Sequence, residues 1–152
     1  MSAYEIRQVP RQDTAVVHRH CDVNEISTVM GEAFARVFET VTRAGGVPAG
    51  TVFSRYFDFA DEMVDFEAGI AVTAPFNGEG DVKASELGGC EAAVTIHVGP
   101  YDSLSRTYAD LQAWIEAQGR KPGAPMWEVY LTDPDQEPDR SKWRTEVYWP
   151  VA

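Results

Sequence analysis

The chain matches itself. At an offset of 74 residues Gly45 meets Gly119, Pro48 meets Pro122, Phe53 meets Trp127 and Tyr56 meets Tyr130; further upstream, Phe34 meets Tyr108, Val37 meets Leu111 and Val41 meets Ile115. Before that, AVVHRHCDVNEI aligns with AVTIHVGPYDSL at an offset of 78, as if the first of two equivalent helices were one turn longer. A duplication of this kind restricts the fold to two copies of one supersecondary unit, because neither copy is large enough to bury a core alone.

Each copy spells the same element order. Thr14 to Cys21 is β-rich, and Ile26, Val29, Met30, Ala33, Phe34, Val37, Phe38 and Val41 then recur at the spacing of an amphipathic helix. Asp22 or Asn24 is placed to cap that helix and Gly45-Gly46 to stop it. Thr51 to Phe59 and Val64 to Thr73 read as strands joined around Ala60-Asp61-Glu62. In the second copy Ala92 to Val98 is a strand. Leu104, Tyr108, Leu111, Trp114 and Ile115 face one side of a helix capped by Asp102 or Ser103 and ended by Gly119, and Met126 to Thr132 and Trp143 to Trp149 close the unit.

The expectation is an α+β fold of duplicated βαββ units with pseudo-twofold symmetry: antiparallel sheets, helices packed on one side, and a central cleft. It forms one domain over residues 1–152, with halves at about 1–75 and 90–152. The glycine-rich segment at about 76–89 reads as a linker, and DPDQEPDRSK (Asp133 to Lys142) as a solvated hairpin loop.

Charge narrows the partners. Thirteen Lys and Arg against 24 Asp and Glu leave a net −11, spread as −5 over residues 1–76 and −6 over 77–152. With no basic lobe to neutralise phosphates, nucleic acid and anionic membrane surfaces are disfavoured. The N-terminal residues do not resemble a signal peptide and no apolar run is long enough for a membrane span, so a cytoplasmic location is expected. Cys21 and Cys90 read as reduced, buried thiols.

Strand alternation separates Trp127, Val129 and Leu131 from Met126, Glu128, Tyr130 and Thr132. If the apolar set lies under the helix, Glu128 and Tyr130 face the other way, with Ser54 and Tyr56 at the matching places of the first copy. Arg144, Glu146 and Tyr148 share one face of the last strand. A carboxylate in such aromatic surroundings suits a cationic partner, through charge and through cation–π attraction. All seven Phe lie at or before Phe76 and all four Trp at or after Trp114, so the copies have diverged and the acid belongs to the second alone.

MWEVYLTDP, VGPYDSLSRTYADLQAWIEAQG and TEVYWPV, together with FSRYFDF and VDFEAGIAV in the first copy, resemble the GyrI-like small-molecule-binding domain, the effector-binding domain of bacterial transcription activators. The resemblance covers essentially the whole chain. It implies a pseudo-twofold pair of units around a cleft that takes lipophilic, often cationic, compounds beside a glutamate matching Glu128. Tyr130 and Tyr148 match aromatic positions of that pocket. Tyr56, Ser54, Trp127 and Phe53 complete the candidate ligand-binding set, although alternation points Trp127 and Phe53 toward the helices.

Because the similarity starts near Met1, a stand-alone form without its own DNA reader is expected, serving drug or toxin sequestration or sensing. Two alternatives share the scaffold. The resemblance extends to cyclopropanoid cyclopropyl hydrolases, in which Glu128 with Tyr130 would be the catalytic pair acting on an electrophile, and to free-standing inhibitors of a cytosolic protein such as gyrase. The SOUL haem-binding proteins share the architecture, and His97 is the one remaining histidine to serve as an axial ligand. No cofactor and no metal are expected: His18 and His20 share a strand face, but Cys21 points away and no second cluster supplies a third ligand. Ser103 and Ser105 have no histidine in a nucleophile-like setting.

Overall fold

The same hydrogen-bonded stop closes both helices. A computed structural model describes residues 4–123, 125–133 and 136–152, with only the backbone described at Phe59 and Asp102. In it, α1 (Ile26–Arg43) and α2 (Leu104–Ala117) have 18 and 14 residues, the one-turn difference that the change of offset anticipates. Gly45 (φ +81°) and Gly119 (φ +75°) each take the left-handed position after the helix. The next amide then reaches back to the fifth carbonyl before it: Gly46 N to Val41 O at 2.8 Å, and Arg120 N to Ile115 O at 3.2 Å. At the first helix's start Asp22 accepts from the Asn24 amide and caps a short 3-10 turn that leads into α1. Ser103 makes no such cap to α2, and the Asp102 side chain lies outside the described residues.

The described residues form eight strands: β1 (Tyr4–Val9), β2 (Gln12–Asp22), β3 (Pro48–Ala60), β4 (Met63–Val72), β5 (Val82–Leu87), β6 (Cys90–Val98), β7 (Met126–Tyr130) and β8 (Arg144–Pro150). All the pairings below are antiparallel, and with the two helices they make a mixed α+β fold. The chain divides into two units, Pro10–Gly89 and β1 together with Cys90–Ala152.

In the Pro10–Gly89 unit the strand order is β3-β4-β2-β5. Ala15, Val17, Val64, Phe66, Ala68 and Ile70 pack against Ala33, Val37 and Val41 of α1. Phe38, expected on this face, is half exposed instead. The other face of these strands carries Phe53, fully buried over its cross-strand partner Gly69, and the ion pair of Arg55 with Glu67. The segment expected to be a linker contributes β5, which pairs with β2 from Gln12↔Leu87 to Val17↔Val82. Its core residues, Val82 and Leu87, stand at the strand's two ends, too far apart to give a readable alternation.

In the other unit the order is β1-β6-β8-β7, and Ala93 and Val147 pack on Leu104, Leu111 and Ile115 of α2. Each βαββ unit therefore carries a fourth strand, and each of these extra strands precedes in sequence the unit it does not join: β1 runs before β2 but pairs with β6, and β5 runs before β6 but pairs with β2. Between β7 and β8, Asp139 caps a 3-10 turn at Arg140–Lys142. Pro134 and Asp135 of that expected loop lie outside the described residues. Cys21 is buried, Cys90 half-buried, and both are free thiols raised in pKa by burial. Among the described residues no helix is long and apolar enough to cross a membrane.

Two substitutions test this packing. The β3–β4 turn holds Asp61 (φ +55°) and Glu62 (φ +62°) in the left-handed region, where a side chain costs about 1 kcal/mol. Glu62→Gly should therefore raise the thermal midpoint by roughly 2–4 °C in a calorimetric melt. A Cβ on Gly69 would stand 2.7 Å from Ala15 O and 2.9 Å from Phe53 Cζ, so Gly69→Ala should cost about 1–3 kcal/mol in urea unfolding.

Candidate functional site

Strand β7 is buried on both faces: Trp127, Glu128 and Val129 are all inaccessible, Glu128 at 3% exposure. Register decides which way each points. Glu128 pairs with Val147 and Tyr130 with Thr145 across β8, and Val147 packs on Leu111 and Ile115, so Glu128 and Tyr130 face α2. There Tyr108 of α2 donates its hydroxyl to Glu128 Oε2, and Tyr130 donates to Oε1 at 2.8 Å. Hydrogen bonds to a charged acceptor are the means by which a buried carboxylate offsets its lost hydration.

A row of aromatic rings leads outward from this carboxylate. Tyr130 meets the edge of Tyr101 at 5.8 Å, and Tyr101 lies 5.1 Å from Trp143. The Arg140 guanidinium stands 5.5 Å from the Trp143 ring centre. Trp143 donates its indole N–H to Glu137 O at 2.8 Å, which fixes the ring against the segment before β8. Burial, then the negative charge of Glu128 and of Asp133, pushes the Tyr101 pKa up.

The remaining candidates fall elsewhere. Tyr148 pairs with Trp127 on the opposite face of the β7–β8 ladder, stacked at 5.0 Å with planes 6° apart. It donates to Glu146 Oε1, with Arg7 5.9 Å from its ring centre. The expected faces are thus reversed: Trp127 points away from the helix and Glu128 toward it. Alternation misassigned them because both faces of β7 are buried, so apolarity alone does not single out the helix side. The same inversion holds for Phe53, which shares its face with Gly69 and Arg55, while Tyr56 packs on the α1 core. Ser54 is fully buried and donates to the Tyr56 hydroxyl at 3.1 Å. That pair occupies in the Pro10–Gly89 unit the positions that Glu128 and Tyr130 occupy in the other.

Tyr108, Tyr101 and Trp143 were not anticipated as neighbours of the carboxylate. For Tyr108 the signal was present: the repeat aligns it with Phe34 and Glu128 with Ser54, so a hydroxyl appears on the helix in the same copy that acquires the acid. His97 is buried, with Nδ1 2.7 Å from Thr107 Oγ1 and Nε2 2.8 Å from Pro100 O. Ser103 does have a histidine beside it, with Oγ 3.1 Å from Nε2, but not in a nucleophile-like setting. Nε2 must carry the proton to bond the Pro100 carbonyl, to which Ser103 also donates at 2.9 Å. The pair therefore lacks the free base that would activate a serine.

The α+β fold agrees with the family comparison. The model of the GyrI-like small-molecule-binding domain matches residues 2–152, and the chain belongs to that family. Among solved structures it is similar to the C-terminal domain of EcmrR, with 23% identity and a TM-score of 0.87 over 98% of this chain and 96% of that one. It spans 56% of the EcmrR chain in a DNA complex, at 97% of its own length, with the same identity and a TM-score of 0.84. It is also similar to a hydrolase from Listeria innocua (18% identity, TM-score 0.64, 98% and 91% covered). SAV2435 bound to tetraphenylphosphonium is a further fold relative (15% identity, TM-score 0.61, 98% and 93% covered). No curated protein matches the sequence.

The tyrosines offer a test of these surroundings. Tyr101 and Tyr148 are both raised above the ordinary value of 10.0, each by burial first, Tyr148 then by its bond to Glu146. Since the folded state holds these protons more tightly than the unfolded chain, the associated stability is intact below that value and falls as pH rises through the folded pKa. An ultraviolet titration should show late-ionising tyrosines in the native protein, Tyr101 and Tyr148 among them. Their late ionisation should disappear in denaturant.

Proposed function

We propose that the protein binds lipophilic cations, with Glu128 as counter-charge and Tyr101, Tyr130 and Trp143 as the aromatic surface. The carrying observation is the buried Glu128 carboxylate held by Tyr108 and Tyr130. Such a group discriminates strongly in favour of positive charge, since little water competes for it, and ring faces add attraction for a desolvated cation. A ligand reaches it by parting the half-exposed Tyr101 from Trp143 and displacing one tyrosine hydroxyl. The tetraphenylphosphonium in SAV2435 supports this ligand class. The role is sequestration or sensing of drug-like compounds; with a net charge of −11, direct contact with nucleic acid is not part of it.

The alternative, hydrolysis of an electrophile with Glu128 as general base, is suggested by the Listeria innocua hydrolase. It is the weaker reading because both carboxylate oxygens already accept a tyrosine hydrogen bond in the place of one from an attacking water.

Titration with tetraphenylphosphonium, followed by tryptophan fluorescence, tests the binding reading. Saturable binding is expected, weakened roughly tenfold or more in Glu128→Gln and by less in Tyr108→Phe. Absent binding, or equal affinity in a folded Glu128→Gln protein, would overturn it. Mass spectrometry of a cyclopropane-bearing electrophile separates the alternative, because a binder returns the compound intact.

A further inference from the structure

The histidine pair singled out in the sequence lacked a third candidate ligand, and the fold places a carboxylate, Asp65, beside it. His18 and His20 alternate with Val17, Arg19 and Cys21 along β2, and Val17 and Cys21 belong to the α1 core. The two histidines therefore share the face turned away from the helix. Asp65 of β4 pairs directly with His20. His18 donates its Nε2–H to Asp65 Oδ1, and His20 Nδ1 stands 3.9 Å from that same oxygen.

Asp65 is also the direct partner of Asp58 on β3. The ladder slips one residue between Tyr56 and Asp58, and this bulge puts Asp58 opposite Asp65. Two carboxylates facing one another across strands repel and are destabilising without a cation between them. Phe57, the bulged residue, sets its ring edge-on to His18 at 5.9 Å. At the adjoining strand ends Asp22, Asp61 and Glu62 add negative charge that concentrates cations locally.

We propose that His18, His20, Asp65 and Asp58 form a surface site for a divalent transition metal of the zinc class. Two imidazoles with carboxylate oxygens suit Zn²⁺, Co²⁺ or Ni²⁺ and are poorly matched to Mg²⁺ or Ca²⁺. On binding, the His18 ring proton moves through solvent to Nδ1. Nε2 then offers its lone pair, and the metal replaces the shared proton between Nε2 and Asp65 Oδ1. No three of the described His, Cys, Asp or Glu side chains yet converge as a ligand set. Both imidazoles are 60% exposed, so rotamer changes alone bring them to the metal without disturbing the core. The site is independent of Glu128, which lies in the other unit.

Isothermal titration of the full chain with Zn²⁺, and with Co²⁺ read by its visible absorption, tests the assignment. One equivalent should bind with micromolar affinity, with no response to millimolar Mg²⁺. His18→Gln, His20→Gln and Asp65→Asn should each weaken binding by roughly tenfold or more, and Asp58→Asn by less. The surface variant Glu116→Gln should leave it unchanged; the variants at the exposed His18, His20 and Asp58, and the isosteric Asp65→Asn at a half-buried position, should keep the wild-type circular dichroism. Three results would each overturn the proposal: no binding, several weak equivalents, or one tight equivalent that survives in the His18→Gln/His20→Gln double variant.

Discussion

Burial of one amphipathic helix against a four-stranded antiparallel sheet is the contact on which each half of this protein depends. Three strands follow from a βαββ repeat, and three leave the outer side of the first strand unpaired. The fourth strand, β5 beside β2 and β1 beside β6, satisfies those backbone groups. Because each added strand precedes in sequence the unit it does not join, a break in the chain between the units would strip an edge from one of them.

On this common frame the two copies differ in a coupled pair of positions beside a tyrosine that both keep. Where the Pro10–Gly89 unit has Phe34, Ser54 and Tyr56, the other has Tyr108, Glu128 and Tyr130. The changes belong together physically. A carboxylate placed under the helix without donors would carry a large desolvation cost, and exchanging a phenylalanine for a tyrosine on the facing helix supplies the missing donor without altering the packing volume much. The Ser54–Tyr56 bond shows the smaller polar arrangement that the same positions hold without the acid.

The opposite faces of the strands are not inert either. Trp127 stacks on Tyr148, Phe53 covers Gly69, and Arg55 pairs with a largely buried Glu67. Burial on both faces is the reason a strand such as β7 reads ambiguously: Trp127 and Glu128 are equally inaccessible, so a hydrophobic pattern cannot say which of them looks at the helix.

Local periodicity and the repeat were enough to read both helices, their glycine stops, six of the eight strands, and Glu128 with Tyr130 as a pair, because these depend on interactions within a few residues or on copies that can be compared. The edge strands β1 and β5 were not legible. They are short, mostly polar, and owe their extended form to partners far away in the chain. The orientation of β7, the separation of Tyr148 from Glu128, and the placing of Asp65 opposite Asp58 and beside His18 were likewise decided only by tertiary structure. Strand register is set by the sum of many pairings across the sheet, and a shift of one residue exchanges every side chain between faces.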